Sequence, residues 1–382
     1  MKDYTEKWDG TRGIFPGMPG EWKINEEIIM PDPKQIPLPG ANTIRLEEEM
    51  EMADKDFACV RLGEFYSPRK VVFDLFLRLA EGRYLRIFRA GEDFDEGELK
   101  AYEADRGMRY VYFGRSHRSA YIATSASLLE KISPLAAIPL RTKFGVARIL
   151  SELYMQELYE CDDAARRALV DKGKRLCSIM ATWVDTQPGL VAYILRLEQI
   201  DANPAALCFL MGVFSCLLSH QMPWKSKRTS ETLLFACFLS ELGIFALSPE
   251  ILRQRPKRMN KQQRHEYEMH PEMSCILLEE TGSDSLNENI LLIIRQHHEY
   301  CDGTGYPNSL TGDKTIMLAK IVVLCGDIIR RASEFLLPPS DAAKTIFPEF
   351  TEKLLKEHPE LVAKYERELL PPFFKMIMEG GA

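Results

Sequence analysis

At 382 residues the chain has room for two or three domains and a well-buried core. Hydrophobic residues make up 46% and charged residues 27%, ordinary for a globular protein, and the net charge is −7 with a pI near 5.7. That acidity excludes a protein that grips duplex nucleic acid with its whole surface, while leaving room for a small basic pocket for one dinucleotide. The nine cysteines are scattered and include no CxxC pair, which excludes a zinc ribbon or a disulfide scaffold and suits buried thiols in a reducing cytoplasm. The N-terminus, MKDYTEKWDG, lacks the apolar segment of a signal peptide, so a cytoplasmic location is expected.

Residues 1–41 carry six prolines and five glycines with little hydrophobic periodicity, and read as an extended or disordered arm. Trp8, Phe15 and Trp22 either dock that arm on a partner or are incidental. Residues 42–132 read as a small α+β domain with a sensory or packing role. Val71, Phe73, Leu75, Leu77 and Leu79 share one face of a strand, and Tyr84–Phe88 forms a second, with Glu81-Gly82 as the hairpin turn. Asp95 followed by Glu98 opens a helix that should end near Gly107. Met108–Phe113 and Ala120–Ala123 supply two more strands.

Residues 133–189 are expected to be a helical linker. Phe144–Tyr159 and Ala164–Val184 carry apolar residues at helical spacing. Such helices couple an input to an output domain, mediate a homodimer, or simply pack. Residues 190–382 read as an all-α domain. Asn203–Trp224 holds no Asp, Glu, Lys or Arg, but its apolar heart, Ala205–Leu218, is too short to cross a bilayer, so a buried helix rather than a membrane span is expected. Short helices follow from Glu334 to Gly380, punctuated by Pro338-Pro339 and Pro371-Pro372.

The most informative stretch is Arg295–Gly312, RQHHEYCDGTGYPNSLTG. His297 and His298 are adjacent imidazoles, a ligand type common for Zn, Fe, Cu and Ni. Asp302, Gly303, Gly305, Tyr306 and Pro307 follow in a turn whose glycines allow close backbone approach to a ligand and whose proline stiffens the exit. This stretch resembles the HHExxDGxGYP signature of the HD-GYP family, bacterial phosphodiesterases that hydrolyse cyclic di-GMP. The α+β domain is similar to the N-terminal domain of some HD-GYP proteins.

The resemblance implies a two- or three-metal cluster, because metal ions generate the nucleophilic water and clamp the attacking and leaving oxygens. It implies His270 as a ligand from the segment Tyr267–Glu272, the tandem histidines His297 and His298, and Asp327 as the late aspartate. It also implies a His-Asp pair where this chain has Ser240-Glu241, within Phe238–Ile244. Ile244 stands where the family has a phosphate-touching lysine, and Cys208 falls near the early histidine, with His220 about a dozen residues too late. Ser309 replaces a glycine, Lys320 an arginine, and Ile328–Leu337 an Arg-Pro-Tyr segment.

One family metal position maps to Glu241, His270, His297 and His298. The other keeps only Glu241 and Asp327, too few to hold an ion. The expectation is one divalent ion at most, Fe, Mn or Zn. Losing one electrostatic contact of this kind costs roughly 10²–10³ in rate, and several are missing. The leading expectation is a degenerate, weak or inactive member that regulates by binding cyclic di-GMP or a signalling protein at the Gly-Tyr-Pro loop. Two alternatives stay open: an active phosphodiesterase with a one-metal or Glu-bridged site, and a scaffold that binds neither metal nor nucleotide.

Overall fold

The computed structural model describes residues 48–62, 65, 70–95, 97–99, 102, 108–187, 189–195, 204–252, 254, 256–335, 356 and 358–381. The expected N-terminal arm lies outside them, as does the end of the helix placed near Gly107. The chain divides into two units, one running to Ala123 and including Pro249–Arg255, the other comprising Thr124–Ser248 and Pro256–Ala382.

In the first unit five short strands pair antiparallel: β1 (Glu48–Glu51), β2 (Phe57–Arg61), β3 (Leu75–Ala80), β4 (Arg83–Phe88) and β5 (Tyr110–Gly114), in the order β1-β4-β3-β5-β2. β3 and β4 are the expected hairpin, turned at Gly82 with φ +68°, a conformation open to glycine. Successive side chains point to opposite faces, so both faces of the sheet carry aromatics. Phe57, Phe76, Tyr84 and Tyr112 cluster on one, with Phe57 stacked on Tyr84 at 3.9 Å. Phe73, Phe113 and Tyr121 pack together on the other. Asp54 ties the hairpin down by accepting from Arg78 Nε, the Gly82 amide and the Tyr84 hydroxyl. β1 reads EEME, a charged edge strand with no apolar alternation to announce it.

Ala120–Ala123, expected as a strand, lies inside helix α1 (Arg118–Ile132). A four-residue apolar run does not distinguish strand from helix, and the longer window decides: Tyr121, Ile122, Ser125, Ala126, Leu129 and Ile132 are buried at helical spacing.

The second unit is helical. α2 (Leu140–Glu160) and α3 (Asp163–Thr186) contain the two long helices expected, the latter started by Asp162, whose side chain accepts from the Ala165 amide. They are followed by α4 (Leu190–Leu195), α5 (Pro204–Ser219), α6 (Lys227–Leu239), α7 (Lys261–Glu268), α8 (His270–Glu279), α9 (Glu288–Gln296), α10 (Met317–Phe335) and α11 (Leu370–Gly381). Tyr154, Trp183, Phe209, Phe214, Phe235 and Phe238 are fully enclosed between them. Burial accounts for the apolarity of α5. Among the described residues one stretch, Lys227–Ala246, is long and apolar enough to cross a membrane by length and composition, and more than half of it is buried in the fold. The nine cysteines are free thiols, and most of them are buried.

Candidate metal centre

Three helix ends converge to build the site. α6 stops at Leu239, and Glu241 follows at the head of a 3-10 turn, Leu242–Ala246. That turn lies hard against the first turn of α8: a Cβ on Gly243 would come within 2.2 Å of the His270 carbonyl oxygen and 2.6 Å of the Ser274 amide. Ser274 fastens the contact, its hydroxyl accepting from the Gly243 amide at 2.7 Å and lying 2.8 Å from the Ser240 carbonyl oxygen. Glu241 and His270 are thereby set face to face. α9, capped by the Asn287 side chain, delivers His297 at its C-terminal end, with His298 next in the chain.

The ligating atoms of Glu241, His270, His297 and His298 all lie within 4.8 Å of one another. Glu241 Oε2 is 3.3 Å from His270 Nε2, and Oε1 is 3.7 Å from His297 Nε2 and 4.0 Å from His298 Nε2. The two imidazoles nearest the carboxylate are held by their outer nitrogens: His270 Nδ1 donates to the Tyr267 carbonyl at 2.8 Å and His297 Nδ1 to the Ile294 carbonyl at 2.6 Å. A backbone acceptor on Nδ1 leaves the Nε2 lone pair aimed inward, the arrangement that readies histidine as a ligand.

Burial pushes the Glu241 carboxyl upward, but His270, His297 and Arg330 outweigh it and hold it down at about 2. Burial also lowers His270, against the pull of Glu241, to about 4, and lowers His298 well below the usual histidine range together with the neighbouring His297 and Arg330. Near neutral pH the cluster is an ionised carboxylate among neutral imidazoles at positions 270 and 298. Glu241 Oε2 is buried and accepts no hydrogen bond from the described residues. An orphaned anionic oxygen facing imidazole lone pairs fits a divalent cation.

The Gly-Tyr-Pro loop is fastened to this cluster. Buried Glu299 accepts from the Asn308 amide at 2.6 Å and the Leu310 amide at 2.8 Å, and Gln296 Oε1 accepts from the Ile316 amide at 3.0 Å. Gly305 passes where no side chain fits, since a Cβ would lie 2.3 Å from the Tyr300 amide and 2.4 Å from the His298 carbonyl oxygen. Tyr306 donates its amide to that carbonyl, and its ring stacks on His298 at 4.4 Å. Asp302 is turned within the loop, accepting from the Thr304 amide and hydroxyl, and Gly303 bends the chain at φ +76°. Pro307 follows a cis peptide bond, and Ser309 sits at φ 52°, a left-handed conformation that favours glycine.

Asp327 does not join the four. It is on α10, and its Oδ2 accepts from the Tyr365 hydroxyl at 2.6 Å and from Arg331 Nε at 3.0 Å. One turn on, Arg330 points at the cluster, with Nη1 3.2 Å from His298 Nδ1 and 3.3 Å from Nε2. The positions where the resemblance implies further histidines hold neutral groups, Ser240, bonded to the Cys237 carbonyl, and buried Cys208, with buried Tyr159 beside Cys208. Burial first, and Cys208 and Glu241 next, push the Tyr159 hydroxyl well above the ordinary tyrosine range. His220 is elsewhere, 2.8 Å from Asp185 and 3.1 Å from Ser230.

Four residues carry parts of this site that motif reading left without a role. Glu299 and Ser274 brace it, Arg330 charges it, and Tyr365 closes on Asp327. Glu299 has a sequence signal, the tandem-histidine motif itself. Tyr365 has none, because it is 38 positions from its partner.

Residues 213–327 match the HD domain family. The chain is 23% identical over 186 residues to the cyclic di-GMP phosphodiesterase response regulator RpfG of Xanthomonas campestris pv. campestris (strain 8004), a match covering 49% of this chain and 48% of that protein. It thus spans about half the length of that relative. Among solved structures it is similar to Bd1817, an HDG"Y"P protein from Bdellovibrio bacteriovorus, with a TM-score of 0.64 at 16% identity over 85% of this chain and 100% of the other. The likeness to Bd1817 speaks for the fold, and the match over residues 213–327 covers Glu241, His270, His297 and His298. An α+β unit is followed by a helical unit in which residues 213–327 match the HD domain family, and the chain is similar to HD-GYP proteins.

Proposed function

We propose that this protein is a regulator in cyclic di-GMP signalling that holds one divalent ion, Fe, Mn or Zn, and reads the nucleotide with little or no hydrolysis. The observation that carries this reading is an asymmetry: four ligand atoms gathered within 4.8 Å, beside an aspartate already engaged by Tyr365 and Arg331. Glu241, His270, His297 and His298 would hold the ion. When bound, such an ion supplies Lewis acidity toward a phosphodiester oxygen.

The chain's own residues do the rest. The backbone carbonyls of Tyr267 and Ile294 keep His270 and His297 in the ligating tautomer. Glu299 and Gly305 set the Gly-Tyr-Pro loop against the cluster, and Tyr306 offers its ring and hydroxyl at the pocket. The Tyr306 hydroxyl, held protonated by burial, is a donor and not a base. The position of the missing lysine is Ile244, which presents no charge to phosphate. Binding with poor turnover follows from a retained loop beside an incomplete second ligand set.

The test uses protein prepared without a histidine tag and loaded with Mn²⁺. Titration calorimetry with cyclic di-GMP should show binding, and chromatography after prolonged incubation should show the dinucleotide intact. Linear dinucleotide or GMP formed by the wild type and lost in His297→Ala would replace this reading with an active phosphodiesterase. Absence of both metal and nucleotide binding would leave a scaffold.

A further inference from the structure

Arg330 is the one guanidinium that the described residues bring onto the histidine cluster. It arrives from α10, three residues beyond Asp327, and so descends one helical turn along the face that carries the aspartate. Its Nη1 is nearly equidistant from the two ring nitrogens of His298, at 3.2 and 3.3 Å. A donor in line with one lone pair would be much closer to one nitrogen than to the other. The guanidinium therefore lies over the imidazole, leaving Nε2 directed at the cluster. That same Nε2 is 4.0 Å from Glu241 Oε1, so a fixed positive charge and a fixed negative charge flank one ring.

The local charges close. Glu241 and Asp327 contribute two negative charges, and Arg330 and Arg331 two positive ones. Arg331 is bonded to Asp327, and the charge of Arg330 acts on both Asp327 and the Glu241 carboxylate of the histidine cluster. A second divalent ion would need carboxylate charge that the arginines already neutralise, at an aspartate whose Oδ2 already accepts from Tyr365 and Arg331.

We infer that Arg330 stands in for a second metal ion: its guanidinium holds the site to one ion and weakens the binding of that ion by repelling it across His298. The inference rests on the one-ion reading above. It makes Arg330 a positioning and affinity-setting residue, acting through His298 and through the charge it places beside Glu241. Two like charges separated by one imidazole ring interact strongly enough, even at an effective dielectric of about 20, to shift an ion's affinity by an order of magnitude or more.

The experiment is Mn²⁺ titration by calorimetry and by the paramagnetic resonance signal of free Mn²⁺, with the full chain and with Arg330→Met, Arg330→Gln and Arg330→Lys. Arg330→Gln keeps a donor near His298 and serves if Arg330→Met does not fold, as judged by circular dichroism. Both neutral variants should bind Mn²⁺ about 10-fold tighter than wild type or better, and Arg330→Lys should stay within about threefold of it. Equal or weaker binding by a folded neutral variant, with wild type binding one ion, overturns the role of Arg330 and leaves the one-ion reading standing. Binding by a neutral variant but not by wild type supports the repulsion and removes the one-ion reading for the natural chain. No binding by any of the four proteins removes both.

Discussion

Two sides of the same pocket have been built to different ends. On one side His270 and His297 are each turned by a backbone carbonyl so that Nε2 faces Glu241, and none of the described residues donates to the buried Glu241 Oε2. On the other, Tyr365 and Arg331 both donate to Asp327 Oδ2, and Arg330 brings a charge of the same sign as a metal. The first side is poised for a cation, whereas the second already carries cationic partners. The contrast teaches that what a carboxylate in the expected place on a helix can bind depends on the charges and donors that its neighbours already bring to it.

The comparison is broken most directly on the open side. Glu241→Ala and His297→Ala should each lower Mn²⁺ affinity by about 100-fold or more, read by calorimetry, since even outer partners of metal ligands are worth roughly 10–100-fold. Retention of wild-type affinity in both would mean that the ion, if any, is held elsewhere.

Acid tests the same side without mutation. In the metal-free protein the His270 pKa falls from 6.5 to about 4 on folding. The folded state refuses a proton that the unfolded chain accepts, so stability is full above pH 6.5 and is lost as pH falls from there toward 4. The loss should be on the order of 3 kcal/mol. Glu241, depressed from 4.5 to about 2, contributes stability present above 4.5 and lost as pH falls through 2. Denaturant melts of apoprotein between pH 7 and pH 4 measure the first window, and His270→Gln should flatten it.

Gly305→Ala asks how tightly the loop is bound to the open side. The added methyl meets backbone atoms and no flexible side chain, so a destabilisation of about 1–3 kcal/mol is expected in thermal unfolding. Glu299→Gln replaces one of two acceptors with a donor facing an amide. It should cost about 1–3 kcal/mol and speed hydrogen exchange at Asn308 and Leu310 specifically. The smallest effect sharpens the closed side: Tyr365→Phe removes one hydrogen bond, about 1 kcal/mol, and should leave Mn²⁺ affinity within twofold. A large loss of metal binding in that variant would show that Asp327 belongs to the ligand set after all.

The open side was legible in the amino-acid sequence because its parts are local: the tandem histidines, the Gly-Tyr-Pro turn and the short spacing back to His270. The helices of the second unit were legible for the same reason, through apolar spacing and caps such as Asp162 and Asn287. The closed side was not, because Tyr365 reaches Asp327 across 38 residues and Arg330 has meaning only once α10 is laid against His298. In the sheet, β1 hid because an acidic edge strand has no alternation, and Ala120–Ala123 misled because four residues are too few to reveal a period.

Glu299 has a mechanical consequence. It is adjacent in the chain to His298, yet its two oxygens grip amides nine and eleven residues further on, beyond the tyrosine that stacks on that histidine. Peptide link, carboxylate grip and ring contact close a small triangle with no slack vertex. A force applied at Asn308 or Leu310 would therefore reach the His298 ring through three short links.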